Sequence, residues 1–297
     1  MYDDDQGFLA GTGDFVRSGL AAGEGVVIVV PEDRTGLLRD ELGPDLAARV
    51  TWIDLDGAGH NPGRMIPLWR EQVPAHSGDG RRLRGIAEFG PTRGPAEDEE
   101  AVLNEALTNV AFAAADGFWL RCPYDARSTS APLLDTLGRT HPAMVVDAMA
   151  RTNSTFDPAG VATALFATAF PPRPAGSPDW PVALTELREL RARVYAAAVR
   201  HGLDADHADD MVLATHEICK NSVRFAGGGT LSAWVEGDTL LCEVSDHGHI
   251  TEMLVGRSSP APTEENGRGL WLANQLCDLV QIRSSNTGTV VRLHAVR

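Results

Sequence analysis

This chain contains a single lysine, Lys220, and the others of its 26 basic residues are arginines. Acidic residues outnumber basic ones, and the formal net charge is −15. A protein with this charge is a poor candidate for binding the phosphates of nucleic acids. We attribute the many arginines first to codon usage, so they give no evidence for a nucleic-acid site.

Long apolar segments are missing as well. No run of about 18 uninterrupted apolar residues occurs, which argues against a membrane span. The first residues, MYDDDQ, are acidic and lack the basic and then apolar pattern of a signal peptide. The four cysteines are scattered without a CxxC pair, so we expect reduced, buried thiols. These absences together predict a cytoplasmic protein with no membrane partner.

A P-loop is also missing, since the motif GxxxxGK[ST] needs a Gly-Lys pair and the chain has none. The N-terminal half is therefore not expected to hydrolyse a nucleotide.

The 297 residues, of which 43% are hydrophobic, are enough for two domains. The best boundary is residues 171–181, where five prolines in eleven residues disfavour regular structure and predict a linker. We therefore predict one domain over residues 1–170 and a second over residues 182–297.

Strands and helices alternate in the first half. The predicted strands are Gly25–Pro31, Arg49–Leu55, Leu83–Phe89 and Gly117–Tyr124. The predicted helices are Phe8–Ala22, Asp33–Leu42, Pro62–Val73, Asp98–Ala115, Ala131–Leu137 and Pro158–Phe170. This alternation predicts an α/β domain with a mostly parallel sheet and helices on both faces.

The second half has a different order. Two helices are predicted first, then a hairpin, a polar loop, a third helix and a second hairpin. The corresponding segments are Val182–His201, Ala205–Phe225, Thr230–Glu236, Thr239–Asp246, His249–Asn266, the helix from Gly269, Val280–Ser285 and Thr289–Val296. We predict an α+β domain, with one sheet and helices on one of its faces.

Three short motifs in this half suggest a nucleotide site. Glu217 and Asn221 are four residues apart on one helix and share a face, which suits a hydrated Mg²⁺ and an attacking hydroxyl. Asp246 follows a strand, where its carboxylate can accept from the exocyclic amine of adenine. Gly267 and Gly269 are poor helix formers at the start of a helix, and a bare helix N-terminus binds phosphate well.

These motifs carry a family resemblance. EICKN, DHGH and GRGLWLANQLCDLV, closed by GTVVRL, resemble the Bergerat ATP-binding fold (the GHKL or HATPase fold) of histidine kinases and anti-sigma-factor serine kinases. The compact size and the ending resemble the anti-sigma branch. The resemblance covers about residues 180–297.

The resemblance implies roles for individual residues. Glu217 matches the general base that accepts a proton from the substrate serine or threonine. Asn221 matches the Mg²⁺ ligand, Asp246 the aspartate that reads adenine, and Gly248 the glycine that lets the base approach. The remaining residues implied to contact ATP are Gly267, Arg268, Gly269 and Leu270 near the triphosphate, and Thr289 near adenine.

Two positions depart from the family pattern. His249 stands where the first glycine motif usually has its second glycine, and Phe225 stands where a histidine is common. A domain that binds nucleotide but catalyses poorly therefore stays open as an alternative.

The pair His216-Glu217 also resembles two other motifs. The zinc motif HExxH requires a histidine at position 220, and the histidine-kinase phosphoacceptor motif HExx[NT] requires Asn or Thr there. Lys220 occupies that position, so both are rejected.

Five blocks in the first half resemble the MEDS sensory domain of actinobacterial regulators. They are DDDQGFLAGTGDFVRSGLAAGEGVVIVVP, GHNPGRMIPLWRE, RGIAEF, LNEALTN and LRCPYDA. The resemblance covers about residues 1–150 and implies sensing or partner binding, without a defined ligand.

Ligands of open α/β sheets usually bind at the carboxyl ends of the strands. The candidates for such a pocket are Glu88, Asn104, Glu105, Cys122 and Tyr124. Structural packing is the favoured interpretation of Cys122, whereas function and structure fit Arg84 and Glu88 equally well.

The combined prediction is an anti-sigma factor and serine/threonine protein kinase that regulates transcription, as in stress responses. It would bind ATP and Mg²⁺, sequester a sigma factor and phosphorylate a STAS-type antagonist, and the N-terminal domain would tune this switch. Dimerisation is implied by the kinase branch. The alternatives are a non-catalytic, ATP-dependent partner-binding module and, third, a sensor histidine kinase, which is disfavoured because no helical pair with an H-box precedes the ATP domain.

Overall fold

The structure is a computed structural model that describes residues 1–55, 61–76, 80–88, 90–146, 149–260 and 267–297. It divides into two compact units. The first unit comprises Met1–His60 and Leu68–Val161, and the second comprises Asn61–Pro67 and Ala162–Arg297. Within the described ranges, none of the helices is both long and apolar enough to span a membrane.

A four-stranded parallel sheet organises the first unit, with the strand order β2-β1-β3-β4. The strands are β1 (Gly25–Val30), β2 (Thr51–Asp54), β3 (Leu83–Ala87) and β4 (Phe118–Arg121). The helices are α1 (Asp5–Ala21), α2 (Glu32–Ala47), α3 (Met65–His76, of which the part from Leu68 belongs to this unit), α4 (Pro95–Ala111) and α5 (Ala131–Gly138). A parallel sheet with helices, as predicted for this half, is confirmed. Phe89, the last residue of one predicted strand, lies outside the described residues.

The central strand β1 follows directly from its composition. Its sequence is GVVIVV, and the five residues Val26–Val30 are all buried, as expected for a parallel strand between two neighbours. Helix α1, which comes before it, begins after its N-cap Asp4, whose carboxylate accepts a hydrogen bond of 2.7 Å from the amide of Gly7.

Two features of this unit were not predicted. Helix α2 continues past Leu42 across a kink, because Gly43 adopts a positive φ of 73° that a helix cannot contain. A two-stranded antiparallel hairpin, β5 (Ala143–Val146) with β6 (Met149–Thr152), follows α5. All four residues of β6 are exposed, so the hairpin lacks the apolar alternation by which a strand is predicted.

The second unit contains a five-stranded antiparallel sheet in the order β10-β11-β9-β8-β7. The strands are β7 (Asp179–Val182), β8 (Gly229–Glu236), β9 (Thr239–Asp246), β10 (Leu279–Ser285) and β11 (Gly288–Val296). The helices are α6 (Pro158–Ala167), α7 (Leu187–His201), α8 (Ala205–Ala226) and α9 (Arg268–Leu276). The predicted combination of one sheet with helices is confirmed here too.

The borders of this unit differ from the predicted ones. Phe166 of α6 packs in the core of the second unit, whereas the sequence placed this helix in the first domain. The end of the proline-rich segment forms β7, which pairs with β8. Pro181 is tolerated there because β7 is the edge of the sheet. Residues 261–266 of the predicted polar loop lie outside the described residues.

Three of the four cysteines, Cys219, Cys242 and Cys277, are buried in the core of the second unit. Burial raises the pKa of both Cys219 and Cys242 to about 12, so these thiols stay protonated and unreactive near neutral pH. This agrees with the expectation of reduced, buried thiols.

Candidate functional site

Helix α8 carries the first two predicted site residues. It begins after Asp204, whose carboxylate accepts a hydrogen bond of 2.9 Å from the amide of His207, and it ends at Gly227 with a φ of 76°. Its apolar face is buried against the sheet, while Glu217 and Asn221 lie at the edge of that face and are half-buried. Both side chains are therefore fixed to a rigid element and remain accessible.

Glu217 forms an ion pair with Lys220. The Nζ atom of Lys220 donates to both carboxylate oxygens, at 2.8 and 3.1 Å. The side chain of Glu217 is 21% exposed and that of Lys220 is 50% exposed, so solvent screens the pair. The only lysine of the chain thus contacts the predicted general base, an interaction that the sequence interpretation did not foresee.

The glycines at the start of α9 allow close packing on α8. Gly267 precedes the helix with a φ of 88° and provides no side-chain cap. A Cβ atom at Gly269 would lie 3.1 Å from Nδ2 of Asn221 and 3.3 Å from Cβ of Glu217. The N-terminus of α9 therefore lies directly against the face that carries these two side chains.

The rest of this helix is anchored by buried residues. Leu270 is buried, and a Cβ atom at Gly256 would lie only 2.9 Å from its side chain. The side chain of Asn274 donates to the carbonyl oxygens of Leu270 and Gly256, at 3.2 Å each. The side chain of Leu270 thus packs in the interior, while Arg268 is exposed.

The C-terminal end of α9 is capped by side chains from Asn61–Pro67, a segment of the same unit. Arg64 donates to the carbonyl oxygens of Asn274 at 2.7 Å and Gln275 at 2.8 Å. Asn61 donates to the carbonyl oxygen of Asn274 at 3.1 Å. A cation at this end complements the helix dipole and holds the last turn.

Asp246, at the end of β9, is held by two donors. The hydroxyl of Ser222 donates to Oδ2 at 2.5 Å, and the amide of Gly248 donates to Oδ1 at 2.8 Å. Ser222 follows Asn221 on α8. Asp246 and Gly269 therefore contact two consecutive residues of one helix turn, which brings the three predicted motifs together.

Thr289 completes this group from the neighbouring strand. It pairs with Asp246 in the β9–β11 ladder, and its hydroxyl donates to the carbonyl oxygen of Gly248 at 2.9 Å. The preceding Gly288 has a φ of 137°, and a Cβ atom there would lie 2.1 Å from the carbonyl oxygen of Asp246. Only glycine fits at this position.

The two departures from the family pattern are both at the surface. Nδ1 of His249 lies 3.3 Å from the carbonyl oxygen of Ser285 and 3.3 Å from the hydroxyl of Ser284. Phe225 is 68% exposed, and the guanidinium of Arg224 lies 5.1 Å from its ring centre. The imidazole of His249 therefore contacts the C-terminal end of β10, a contact that a glycine at this position could not make.

The candidates in the first unit separate into two groups. Glu88 accepts a short hydrogen bond from the hydroxyl of Tyr2 and lies 4.0 Å from Arg34. Burial raises the pKa of Glu88 to about 7, against the opposing effects of the Tyr2 hydrogen bond and the Arg34 charge. Arg84 forms an ion pair of 2.5 Å with Glu24, which favours the structural interpretation of that arginine.

The second group brings three of the predicted pocket residues together. The hydroxyl of Tyr124 donates to Oε1 of Glu105 at 2.8 Å, and the thiol of Cys122 lies 3.4 Å from Oε2. Asn104 is buried beside Glu105 on α4. His141 joins this group, and nothing in the sequence pattern pointed to it.

Each half of the chain matches a known protein-domain family. Residues 1–142 match the family model of MEDS, the MEthanogen/methylotroph, DcmR Sensory domain. Residues 180–295 match the model of the Histidine kinase-like ATPase domain. No curated protein matches the chain.

Among solved structures, the chain is similar to the crystal structure of the RsbU and RsbW domains of Rv1364c from Mycobacterium tuberculosis. The sequence identity is 21% and the TM-score 0.30, over 40% of this chain and 32% of that one. The chain thus spans about a third of the length of that protein chain. From the two family models we conclude that the chain carries a MEDS domain in its N-terminal half and a histidine kinase-like ATPase domain in its C-terminal half.

Proposed function

We propose that the ATPase domain binds ATP with Mg²⁺ and acts as an anti-sigma factor and serine/threonine protein kinase. The observation that carries this proposal is the meeting of Asp246 and Gly269 on consecutive residues of α8. A carboxylate that can read adenine and a helix N-terminus that can bind phosphate thus both lie next to one turn of α8, which supports the proposal.

The residues present fit such a ligand. Gly269 has no side chain, so the start of α9 lies close to the Asn221 carboxamide, whose oxygen is a ligand type that suits Mg²⁺. Asn221 would hold the metal ion, Gly267–Leu270 the phosphates, and Asp246, Gly248 and Thr289 the adenine end. Bound ATP would supply the phosphoryl group that is transferred.

Glu217 would accept the proton of a serine or threonine hydroxyl. Its carboxylate is half-buried at the edge of α8, beside the start of α9, and Lys220 restrains its orientation. Phosphoryl transfer depends mostly on positioning and on neutralisation of charge. Glu217 would position the hydroxyl, and the Mg²⁺ ion held by Asn221 would neutralise charge on the phosphates.

The partners follow from the resemblance of the motifs to anti-sigma serine kinases. We propose that the domain sequesters a sigma factor and phosphorylates a STAS-type antagonist, and that the MEDS domain senses a signal that tunes this switch. Dimerisation of the ATPase domain is part of the same proposal.

A second candidate is a non-catalytic module in which ATP sets the shape that binds a partner. The Lys220 contact with both oxygens of Glu217 favours it, because an ammonium group competes with a substrate hydroxyl for the same carboxylate. His249 in place of a glycine favours it too.

Calorimetric titration with Mg·ATP and a phosphoryl-transfer assay with labelled ATP and a STAS-domain protein test both candidates. We expect Asp246→Asn to weaken nucleotide binding by roughly 10- to 100-fold, the usual cost of losing a hydrogen bond to a charged group. Glu217→Gln should leave the Kd within about twofold and abolish transfer. Absence of binding heat in the wild type would refute the nucleotide site, whereas binding without transfer would establish the second candidate.

A further inference from the structure

Three side chains of metal-binding type converge in the MEDS domain. Glu105 comes from α4, Cys122 follows β4, and His141 follows α5. One ligand atom of each residue lies within 4.8 Å of the other two. This cluster lies in the first unit and takes no part in the nucleotide site.

The hydrogen bonds of His141 fix which ring nitrogen faces the cluster. Nδ1 lies 2.9 Å from the carbonyl oxygen of Leu137, which can only accept, so Nδ1 carries the proton. Nε2 then has a free lone pair. This atom is buried and has no hydrogen-bond partner within the described part of the chain. A histidine whose other nitrogen donates to a backbone carbonyl is the usual arrangement of a metal ligand.

The two separations from Oε2 of Glu105 match tetrahedral zinc, and Sγ of Cys122 and Nε2 of His141 lie within 4.8 Å of each other. Zinc bonds of about 2.3 Å to sulfur and about 2.0–2.2 Å to nitrogen and oxygen place tetrahedral neighbours roughly 3.4–3.6 Å apart. Oε2 of Glu105 lies 3.4 Å from Sγ of Cys122 and 3.5 Å from Nε2 of His141. The shared oxygen thus stands at the expected separation from both other ligands.

Hydrogen bonds alone explain the distances in this cluster less well than a bound metal ion does. A protonated histidine bonded to Glu105 should bring the two atoms to about 2.7–2.9 Å, shorter than the observed 3.5 Å. With Nε2 unprotonated, the nitrogen and the carboxylate oxygen are both acceptors, and the single thiol proton of Cys122 can satisfy only one of them. A cation between the three atoms satisfies them all.

The surroundings hold the ligands in place. Tyr124 donates to Oε1 of Glu105 at 2.8 Å, which leaves Oε2 for the cluster. The side chain of Asn109 donates to the backbone oxygens of Glu105 at 3.0 Å and Thr140 at 2.8 Å. These bonds join α4 to the segment that carries His141.

We propose that Glu105 Oε2, Cys122 Sγ and His141 Nε2 bind a Zn²⁺ ion in the MEDS domain, with solvent as the fourth ligand. Thiolate and imidazole together select zinc over Mg²⁺ or Ca²⁺. Three protein ligands and one exchangeable position are the pattern of open zinc sites. The thiol of Cys122 releases its proton to the solvent on binding.

The test uses the full chain without an affinity tag, stripped of metal with a chelator and titrated with Zn²⁺ in the absence of nucleotide. We expect about one equivalent to bind and Mg²⁺ not to compete. Co²⁺ should bind at the same site and show the near-ultraviolet charge-transfer band of a thiolate ligand.

Three variants each remove one ligand: Cys122→Ser, Glu105→Gln and His141→Asn. Each should weaken zinc binding by more than about 100-fold, beyond the roughly 10- to 100-fold effect of an outer-shell change. His76→Asn is the matched control, because Nδ1 of His76 also contacts a backbone oxygen, that of Gln72 at 3.0 Å, but its Nε2 already contacts Thr51. This variant should bind zinc like the wild type.

Circular dichroism shows whether each variant is folded. The proposal is overturned if the wild type retains no zinc, if its Co²⁺ complex lacks the thiolate band, or if folded ligand variants bind as tightly as the wild type. If a variant fails to fold, the spectrum of the wild-type Co²⁺ complex still tests the proposal.

Discussion

Gly269 lies so close to Asn221 that a Cβ atom at position 269 would be 3.1 Å from Nδ2 of Asn221. The same atom would be 3.3 Å from Cβ of Glu217. A side chain at position 269 would therefore fit tightly against α8, and Asn221 would have to shift by a few tenths of an ångström to accommodate it. This explains the glycine at position 269, whereas Gly267 is favoured by its positive φ of 88°.

Gly269→Ala should weaken the binding of Mg·ATP, because the added methyl group pushes the first turn of α9 away from Asn221. Overpacking costs about 1–3 kcal/mol of folding stability, and if about 1.4 kcal/mol of this is relieved only in the nucleotide-free state, the Kd rises by roughly tenfold. Calorimetric titration measures the change. Gly36→Ala is the control, since a Cβ atom in α2 at that position meets nothing within 4 Å. Unchanged affinity in Gly269→Ala would exclude this turn from the phosphate site.

Ser222→Ala should lower both nucleotide affinity and the preference for adenine. The buried Ser222 hydroxyl orients Oδ2 of Asp246 at 2.5 Å, and without it the Gly248 amide is the remaining donor to this carboxylate among the described residues. We expect about tenfold weaker ATP binding and a smaller ATP-to-GTP ratio of affinities. Thr239→Ala removes a hydroxyl near Asp238, at the other end of β9, and should change neither quantity.

Lys220→Met should release the Glu217 carboxylate. Because the pair is exposed, its loss should cost at most about 0.5 kcal/mol of stability and raise phosphoryl transfer by about twofold, with an unchanged Kd for Mg·ATP. Arg193→Met, which breaks the comparable Glu189 pair on α7, is the control and should leave transfer unchanged. A fall in transfer of tenfold or more in Lys220→Met would instead show that the ammonium group itself assists the reaction.

Glu88 should make the stability of the MEDS domain depend on pH. Its pKa is about 7 in the folded protein against an ordinary value of 4.5, since burial outweighs the Tyr2 hydrogen bond and Arg34. Asp33 and Asp125 act in the same direction as burial. Between these two pH values the folded state binds a proton that the unfolded state has released. The free energy of unfolding should therefore fall as the pH rises from about 4.5 to 7, by up to about 3 kcal/mol.

Glu88→Gln removes this ionisation and keeps an oxygen that can accept from the Tyr2 hydroxyl. Urea denaturation measures the free energy of unfolding of wild type and variant at pH 5 and pH 8. The contribution of Glu88 is the change between the two pH values in the wild type minus the same change in the variant. Glu32→Gln, at an exposed position at the start of α2, should behave as the wild type. Equal pH dependence in Glu88→Gln and wild type would show that another group is responsible.

The sequence predicted those parts of the site whose spacing is local. Glu217 and Asn221 share a helix face because they are four residues apart, and Asp246 ends its strand where the continuous buried run of β9 gives way to polar residues. Gly267 and Gly269 could be placed at the start of a helix by the same reasoning. Each of these inferences needs only a few neighbouring residues.

Contacts between distant segments could not be predicted in this way. Ser222 bonds to Asp246 from 24 residues away, and His141 reaches Glu105 across 36 positions, with no periodic pattern linking either pair. The exposed hairpin strand Met149–Thr152 has no apolar face to reveal it. Such features depend on packing of the whole unit.

The pairing of Asp246 with Thr289 across β9 and β11 has a geometric consequence. A shift of β11 by one residue would turn the hydroxyl of Thr289 to the opposite face of the sheet, away from Gly248. An inserted or deleted residue within β11 is therefore more damaging here than most single exchanges of side chains. The turn at Gly237 and Asp238, by contrast, lies at the other end of β9. A change in the length of this turn therefore leaves the distance between Asp246 and Thr289 unchanged.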